Sequence, residues 1–221
     1  MVSLVDQGAT VPPVGIQADA AGQLTLQVWQ PGRYESTTAS GRKQHVDVSA
    51  LPEPQELTEP WQVAFDPKFG GPTSVTFEKL EDWSKRPEEG SKYYSGAATD
   101  NTTFQAKHEK SESRTSLDLG NVANMAEVSL NGKNLGILWK QPFRVDVTDA
   151  IRDGANTLEV KVVNLWGNRQ IGDEFLPEDS DRNPNGTLKS WPEWLQAGKP
   201  SPTGRFTFTT WRKWKKEDPL A

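Results

Sequence analysis

The stretch Ala126-Glu127-Val128-Ser129-Leu130-Asn131-Gly132-Lys133-Asn134-Leu135-Gly136 decides the fold class. Ala126, Val128 and Leu130 alternate with polar neighbours, the period of a strand buried on one face. Asn131-Gly132 is the favoured pair for a type I′ turn, because both central residues need positive φ, so the stretch predicts a β-hairpin. The same alternation recurs on either side, at Leu24, Leu26 and Val28, at Trp61, Val63 and Phe65, at Phe143, Val145 and Val147, and at Leu158, Val160 and Val162. Between the last two, Thr148 to Gly154 reads as a hydroxyl cap, one helical turn and a glycine stop. No segment shows a long helical period. Phe77 to Gly90 has room for one short helix around Leu80 and Trp83.

The chain has 221 residues, which is space for about one and a half domains. Three prolines and three glutamates between Leu51 and Pro60 interrupt the alternation. We therefore expect an N-terminal β segment over 1–51, a Pro/Glu linker over 52–60 and one antiparallel domain over 61–221. From Asn164 to Gly204 regular alternation stops, yet the stretch holds Trp166, Phe175, Trp191, Trp194 and Leu195. Such residues are poor ingredients for disorder, so a folded loop packed on or beside the domain is expected.

The absence of cysteine excludes disulfides, thiolate nucleophiles and Cys-ligated zinc. A net charge of −5 and a pI near 5.2 argue against a duplex-binding protein. No apolar run approaches the ~20 residues of a membrane helix, and no signal peptide is visible at Met1 to Asp6. No nucleic-acid or membrane partner is expected.

Leu117-Asp118-Leu119-Gly120-Asn121-Val122-Ala123, Val128 to Gly136, Trp139 to Thr148 and Gly154 to Val160 together resemble the galactose-binding-like, jelly-roll modules of family 2 glycoside hydrolases. A narrower resemblance is carried by Trp61 to Pro67, Tyr93-Tyr94-Ser95-Gly96, Asn164 to Glu174 and Gly204 to Trp211. Those stretches are similar to the C-terminal module of family 106 enzymes, the α-L-rhamnosidase type, over about residues 57 to 219. The resemblance implies an all-β antiparallel jelly-roll sandwich with an N-terminal β remnant of a preceding domain and one long Trp-rich loop. It also implies that the catalytic barrel lies in another part of a bacterial parent enzyme. Where that family has an aromatic-rich strand, this chain reads Ala98-Thr99-Asp100-Asn101-Thr102-Thr103-Phe104, so the strand is expected to be weakened or to sit at an edge. The ending Asp218-Pro219-Leu220-Ala221 falls where a final strand is expected, which reads as a trimmed fragment.

Sugar recognition needs flat apolar faces for pyranose C–H groups and planar polar side chains for paired hydroxyls. Trp166, Trp191 and Trp194, with Asn168, Arg169, Asp173 and Glu174, are the ligand-binding candidates. The alternative for the indoles is gap-filling under the loop, and for the polar set an Arg169 ion pair with backbone caps that hold the loop's root. Asp173 and Glu174 make a poor catalytic pair, because neighbours on an extended chain point opposite ways. Asp181, Asn183 and Asn185, with Gly186 sixth, fit the first half of a calcium loop, but the twelfth position is Pro192 where a bidentate Glu belongs. An Asx-rich turn is the simpler reading. No cofactor is required, and a structural calcium between loops stays open. His45 and His108 lack a zinc-site partner and read as surface residues. Arg205, Arg212, Lys213, Lys215 and Lys216, interleaved with Trp211 and Trp214, read as a solvated strand edge.

The function expected is non-catalytic carbohydrate binding, to a plant polysaccharide or rhamnose-containing glycan, beside the catalytic domain of an extracellular or periplasmic glycoside hydrolase. The alternative is a structural module that packs on that catalytic domain and binds no sugar; a stand-alone glycosidase is the third reading.

Overall fold

The structure, a computed structural model, describes residues 2–4, 14–18, 21–107 and 114–220. They divide into two units, Met1–Glu56 and Leu57–Ala221. His108 lies outside the described residues, whereas His45 is exposed.

In the first unit, strands β1 (Val2–Leu4), β4 (Gly32–Thr37) and β5 (Lys43–Val48) form one antiparallel sheet with β4 in the middle, and β2 (Val14–Ala18) pairs with β3 (Leu24–Val28). Tyr34 is the one buried apolar side chain among the described residues of this unit, and its hydroxyl donates to the Gln30 carbonyl at 2.7 Å. Ile16, Leu24 and Val46 are exposed, so the described residues of this unit make little core of their own.

The second unit carries β6 (Trp61–Phe65), β7 (Val75–Phe77), the single turn α1 (Glu89–Lys92), β8 (Ala97–Ala106), β9 (Ser116–Asp118), β10 (Met125–Leu130), β11 (Lys133–Leu138), β12 (Arg144–Asp146) and β13 (Gly154–Val163). Two short helices follow, α2 (Gly167–Asp173) and α3 (Glu193–Gln196). Six strands pair antiparallel in the order β11-β10-β13-β8-β6-β7, and β12 pairs with β9 in a second small sheet. The fold is all-β and sandwich-like. Every second residue of the long strands enters one core, as Val63, Phe104, Val128, Leu130, Leu158 and Val160 do, and Leu117 of β9 and Val145 of β12 pack against it. Asn131 and Gly132 take φ 53° and 80° and join β10 to β11 by a two-residue connection, the turn that the pair predicts. The turn after Val147 is also present: the Ala150 and Ile151 amides both donate to the Val147 carbonyl, at 2.9 and 2.8 Å. At Trp83–Lys85 the expected short helix is a 3₁₀ turn, whose first amides are capped by Asp82 accepting from the Ser84 N–H at 2.9 Å.

One expectation is overturned. The segment Ala98 to Phe104 is neither weakened nor at an edge: β8 is a ten-residue strand paired along its whole length to β13 and partly to β6. Its inward positions are Ala98, Asp100, Thr102, Phe104 and Ala106. Two polar residues at core positions hide the apolar period. Thr102 Oγ1 donates to the Pro60 carbonyl at 3.0 Å, but Asp100 Oδ1 is buried without a hydrogen-bond partner, and burial pushes the carboxyl up to about 7.

Candidate functional site

Asn164 closes β13 and stitches the chain back onto the sandwich. Its Nδ2 donates to the Tyr94 carbonyl at 2.9 Å, and its Oδ1 accepts from the Gly96 N–H at 2.8 Å. Tyr94 itself is buried edge-on against Phe65 and Trp83, with its hydroxyl donating to the Ala97 carbonyl at 2.7 Å, and burial raises that phenol. A Cβ on Gly71 would come within 2.4 Å of Phe65 Cβ, so only glycine lets the backbone pass there. From this anchor the chain turns into α2, where the Arg169 N–H donates to Ser95 Oγ at 2.9 Å.

The polar set on α2 is buried. Arg169 and Asp173 lie one helical turn apart, 7% and 1% exposed, with Arg169 Nε donating to Asp173 Oδ1 at 3.0 Å. Asp173 Oδ2 accepts from Phe206 N at 3.1 Å, Thr207 N at 2.8 Å and Thr207 Oγ1 at 2.7 Å. One carboxylate thus ties the start of the excursion to residues 33 and 34 positions later. Asn168 is likewise buried. Glu174, the next residue, meets Arg205 at 3.3 Å and Arg212 at 2.9 Å. Arg205 also donates to the Pro177 and Leu176 carbonyls, both at 2.9 Å, and Arg212 pairs with Glu178. The two carboxylates are therefore engaged in separate internal networks.

These pairs correct the reading of Arg205 and Arg212 as part of a solvated strand edge, while Lys213, Lys215 and Lys216 are exposed. Arg205 is 8% exposed at its side chain, and the segment holds one isolated bridge, Thr187 to Trp211, and no strand. The long excursion is not a plain loop: beside α2 and α3 it carries the Arg182–Leu188 bridge. Around Asp181 to Gly186 the hydrogen bonding is that of an Asx turn, with Asn185 Oδ1 accepting from Thr187 N at 3.1 Å and Thr187 Oγ1 at 2.7 Å, and Asn183 Nδ2 donating to Thr187 Oγ1 at 3.0 Å. Among the described residues no group of three or more His, Asp or Glu side chains is placed to hold a metal ion.

The turn delivers residues 186–188 alongside 210–212, where Leu188 N donates to the Thr210 carbonyl at 3.0 Å and Arg212 N to the Gly186 carbonyl at 3.1 Å. The pairing forms an open groove of about 400 Å³ lined by Thr187, Leu188, Lys189, Ser190, Trp191, Thr210 and Trp211. Trp191 and Trp211 are 57% and 54% exposed. Behind them Phe208 lies 5.9 Å from the Trp191 ring and meets Trp194 edge-on at 5.8 Å. Trp194 is half-buried and donates its Nε1–H to the Asp179 carbonyl at 3.0 Å, which makes it a support for the groove. Trp166, at the head of α2, is half exposed and packs edge-on against Phe69 at 5.5 Å, and it does not line the groove. Under the excursion a cavity of about 20 Å³, lined by Glu174, Arg182, Arg205 and Arg212, has room for one water and none for a sugar ring. Trp211, placed by the sequence on a strand edge, and Lys189 were not among the ligand-binding candidates. In extended chain Phe206 and Phe208 point one way and Thr207, Thr209 and Trp211 the other, so the pattern separates Trp211 from the two phenylalanines, and Lys189 carries no local signal.

Of curated proteins, one from Formosa agariphila named "Putative beta-glucuronidase" is 45% identical over 192 residues, 86% of this chain and 16% of that protein. The structure of a rhamnosidase from Novosphingobium sp. PP1Y superposes with a TM-score of 0.59 at 25% identity, covering all of this chain and 23% of the enzyme. A β-glucuronidase from Lactobacillus rhamnosus aligns with half of the chain at 22% identity and a TM-score of 0.42, over 21% of its own length. The chain thus spans less than a quarter of each of these relatives. Residues 88–186, from the α1 turn through the central strands and α2 to the Asx turn, match the family described as the glycosyl hydrolase 2 galactose-binding domain-like domain.

Proposed function

We propose that the second unit is a non-catalytic carbohydrate-binding module of a glycoside hydrolase of the α-L-rhamnosidase, family 106 type, and that the glycan lies along the groove between Trp191 and Trp211. The observation that carries this reading is the pair of exposed indoles at one groove whose remaining lining is rich in hydroxyls. Indole faces cover pyranose C–H groups, while Ser190 and Thr210 offer hydrogen bonds to sugar hydroxyls. The internal pairing of Asp173 and Glu174 favours a module without catalysis of its own, since a glycosidase needs two carboxyl groups facing one bond. Likeness to a part of a rhamnosidase and of a protein named for glucuronidase activity supports a role beside a catalytic domain; our proposal is that this domain acts on plant or rhamnose-containing polysaccharide, outside the cell or in the periplasm.

The test is a tryptophan fluorescence titration against a carbohydrate panel. Millimolar affinity is expected for the intact protein, because one open face gains little after its hydroxyls are desolvated. Trp191→Ala and Trp211→Ala should each abolish the response, and Trp166→Ala should leave it. Absence of any response at millimolar ligand removes the proposal.

A second reading, docking onto the catalytic domain without sugar, is favoured by one observation. Met125, Ile137 and Trp139, on or just after β10 and β11, leave 40%, 58% and 67% of their surface exposed. Sedimentation of the chain mixed with a separately produced catalytic domain, with and without Trp139→Ala, distinguishes it.

A further inference from the structure

We infer that the groove takes an anionic glycan, one carrying uronate carboxylates or sulfate esters; the inference rests on the groove being the sugar site. The groove is built by residues 187–211, beyond the 88–186 segment that matches the family, so its chemistry has to be read from its own side chains.

Its lining contains no carboxylate and no side-chain amide. A neutral sugar presents hydroxyls that each donate one hydrogen bond, and strong sites meet them with the acceptor oxygens of Asp, Glu, Asn or Gln. Here the charged group is the ammonium of Lys189, three donors and no acceptor, on an exposed side chain. Among the described residues Lys189 has no ion-pair partner, while the nearby arginines are neutralised: Arg205 and Arg212 share Glu174 and Glu178. With the Lys189 ammonium and no carboxylate between two indoles, the site complements a ring that bears negative charge.

Matched polymers test it. Polygalacturonate is set against its methyl ester, in which the carboxylate is neutralised on the same backbone, and dextran sulfate against dextran. Binding is followed by tryptophan fluorescence and by mobility in gels containing the polymer. The expected result is that at least one charged polymer binds more tightly than its neutral partner, with affinity falling as salt rises. The pair that responds identifies carboxylate or sulfate as the charge. Lys189→Gln should weaken that binding about fivefold, the upper end for one exposed ion pair, and flatten its salt dependence. Equal binding of charged and neutral partners overturns the inference and leaves the sugar reading standing. Charge-selective binding that Lys189→Gln does not change also overturns it, because the charge is then read elsewhere. No response from either pair or from the neutral panel overturns the inference and the sugar reading together.

Discussion

Asp173 shows how a single carboxylate can hold a fold that neither flanking segment could hold alone. It accepts four hydrogen bonds, one from Arg169 and three from Phe206 and Thr207, at 1% exposure. Asp173→Ala leaves a buried guanidinium and three donors without an acceptor, and urea unfolding should register a loss of about 3–5 kcal/mol. Asp173→Asn keeps an acceptor oxygen for the Phe206 and Thr207 donors and should cost less. Asp100 acts in the opposite sense. Its carboxyl titrates near 7 when folded and near its ordinary value when unfolded, because no partner compensates its burial. The folded state therefore binds the extra proton between those values, and stability should fall as pH rises from about 4 to about 7. The contribution is on the order of 4 kcal/mol over that range. Above pH 7 both states are ionised and the slope from this group vanishes. In Asp100→Asn the slope should be absent, which thermal unfolding across pH 4–8 will show. The sequence marked Asp173 as a site candidate beside an ion-pair alternative, and it left Asp100 unmarked, because nothing in Thr99-Asp100-Asn101 tells which neighbour faces inward.

At the scale of elements, the β10–β11 hairpin was legible in its turn and in the alternation of Ala126, Val128 and Leu130, whereas the register shift between Val128 and Ser129 was not. Asn131 does more than supply positive φ: its Nδ2 donates to the Ala150 carbonyl and to Asn156 Oδ1, both at 2.8 Å, and its Oδ1 accepts from Thr157 N at 3.0 Å. Asn131→Ala should cost about 2 kcal/mol in chemical denaturation, from left-handed strain together with lost hydrogen bonds. Asn131→Asp, which keeps the acceptor but loses the amide donor, should fall between. Strand β8 was illegible for a physical reason, namely that a central strand tolerates Asp100 and Thr102 at core positions when its pairing on both sides is already secured. Residues 164–204 read as a loop because their order comes from ion pairs and carbonyl contacts, and such contacts impose no period on the sequence.

At the scale of the molecule, the two units differ in the core each can build. The second gathers aromatic and aliphatic side chains from its long strands into one cluster, while Tyr34 is the one buried apolar side chain described in the first. Residues 57–221 produced alone should unfold in a single cooperative transition, and residues 1–56 alone should show none in circular dichroism. The groove also belongs to this scale. Trp191 and Trp211 are twenty residues apart and become neighbours through the Asx turn at 181–187 and the Phe208 support.

Period-two alternation and the Asn-Gly turn, both local properties, were enough to determine that this protein is an antiparallel β fold with its hairpin at 131–132. Tertiary structure alone decided which side chains are spent on holding the excursion and which are left exposed at the groove. Arg169, Asp173 and Glu174 went to the first task and Trp191, Lys189 and Trp211 to the second. Asp173 and Glu174 find their further partners 31 to 38 residues away, and burial of a charge is set by such partners and not by its neighbours in sequence.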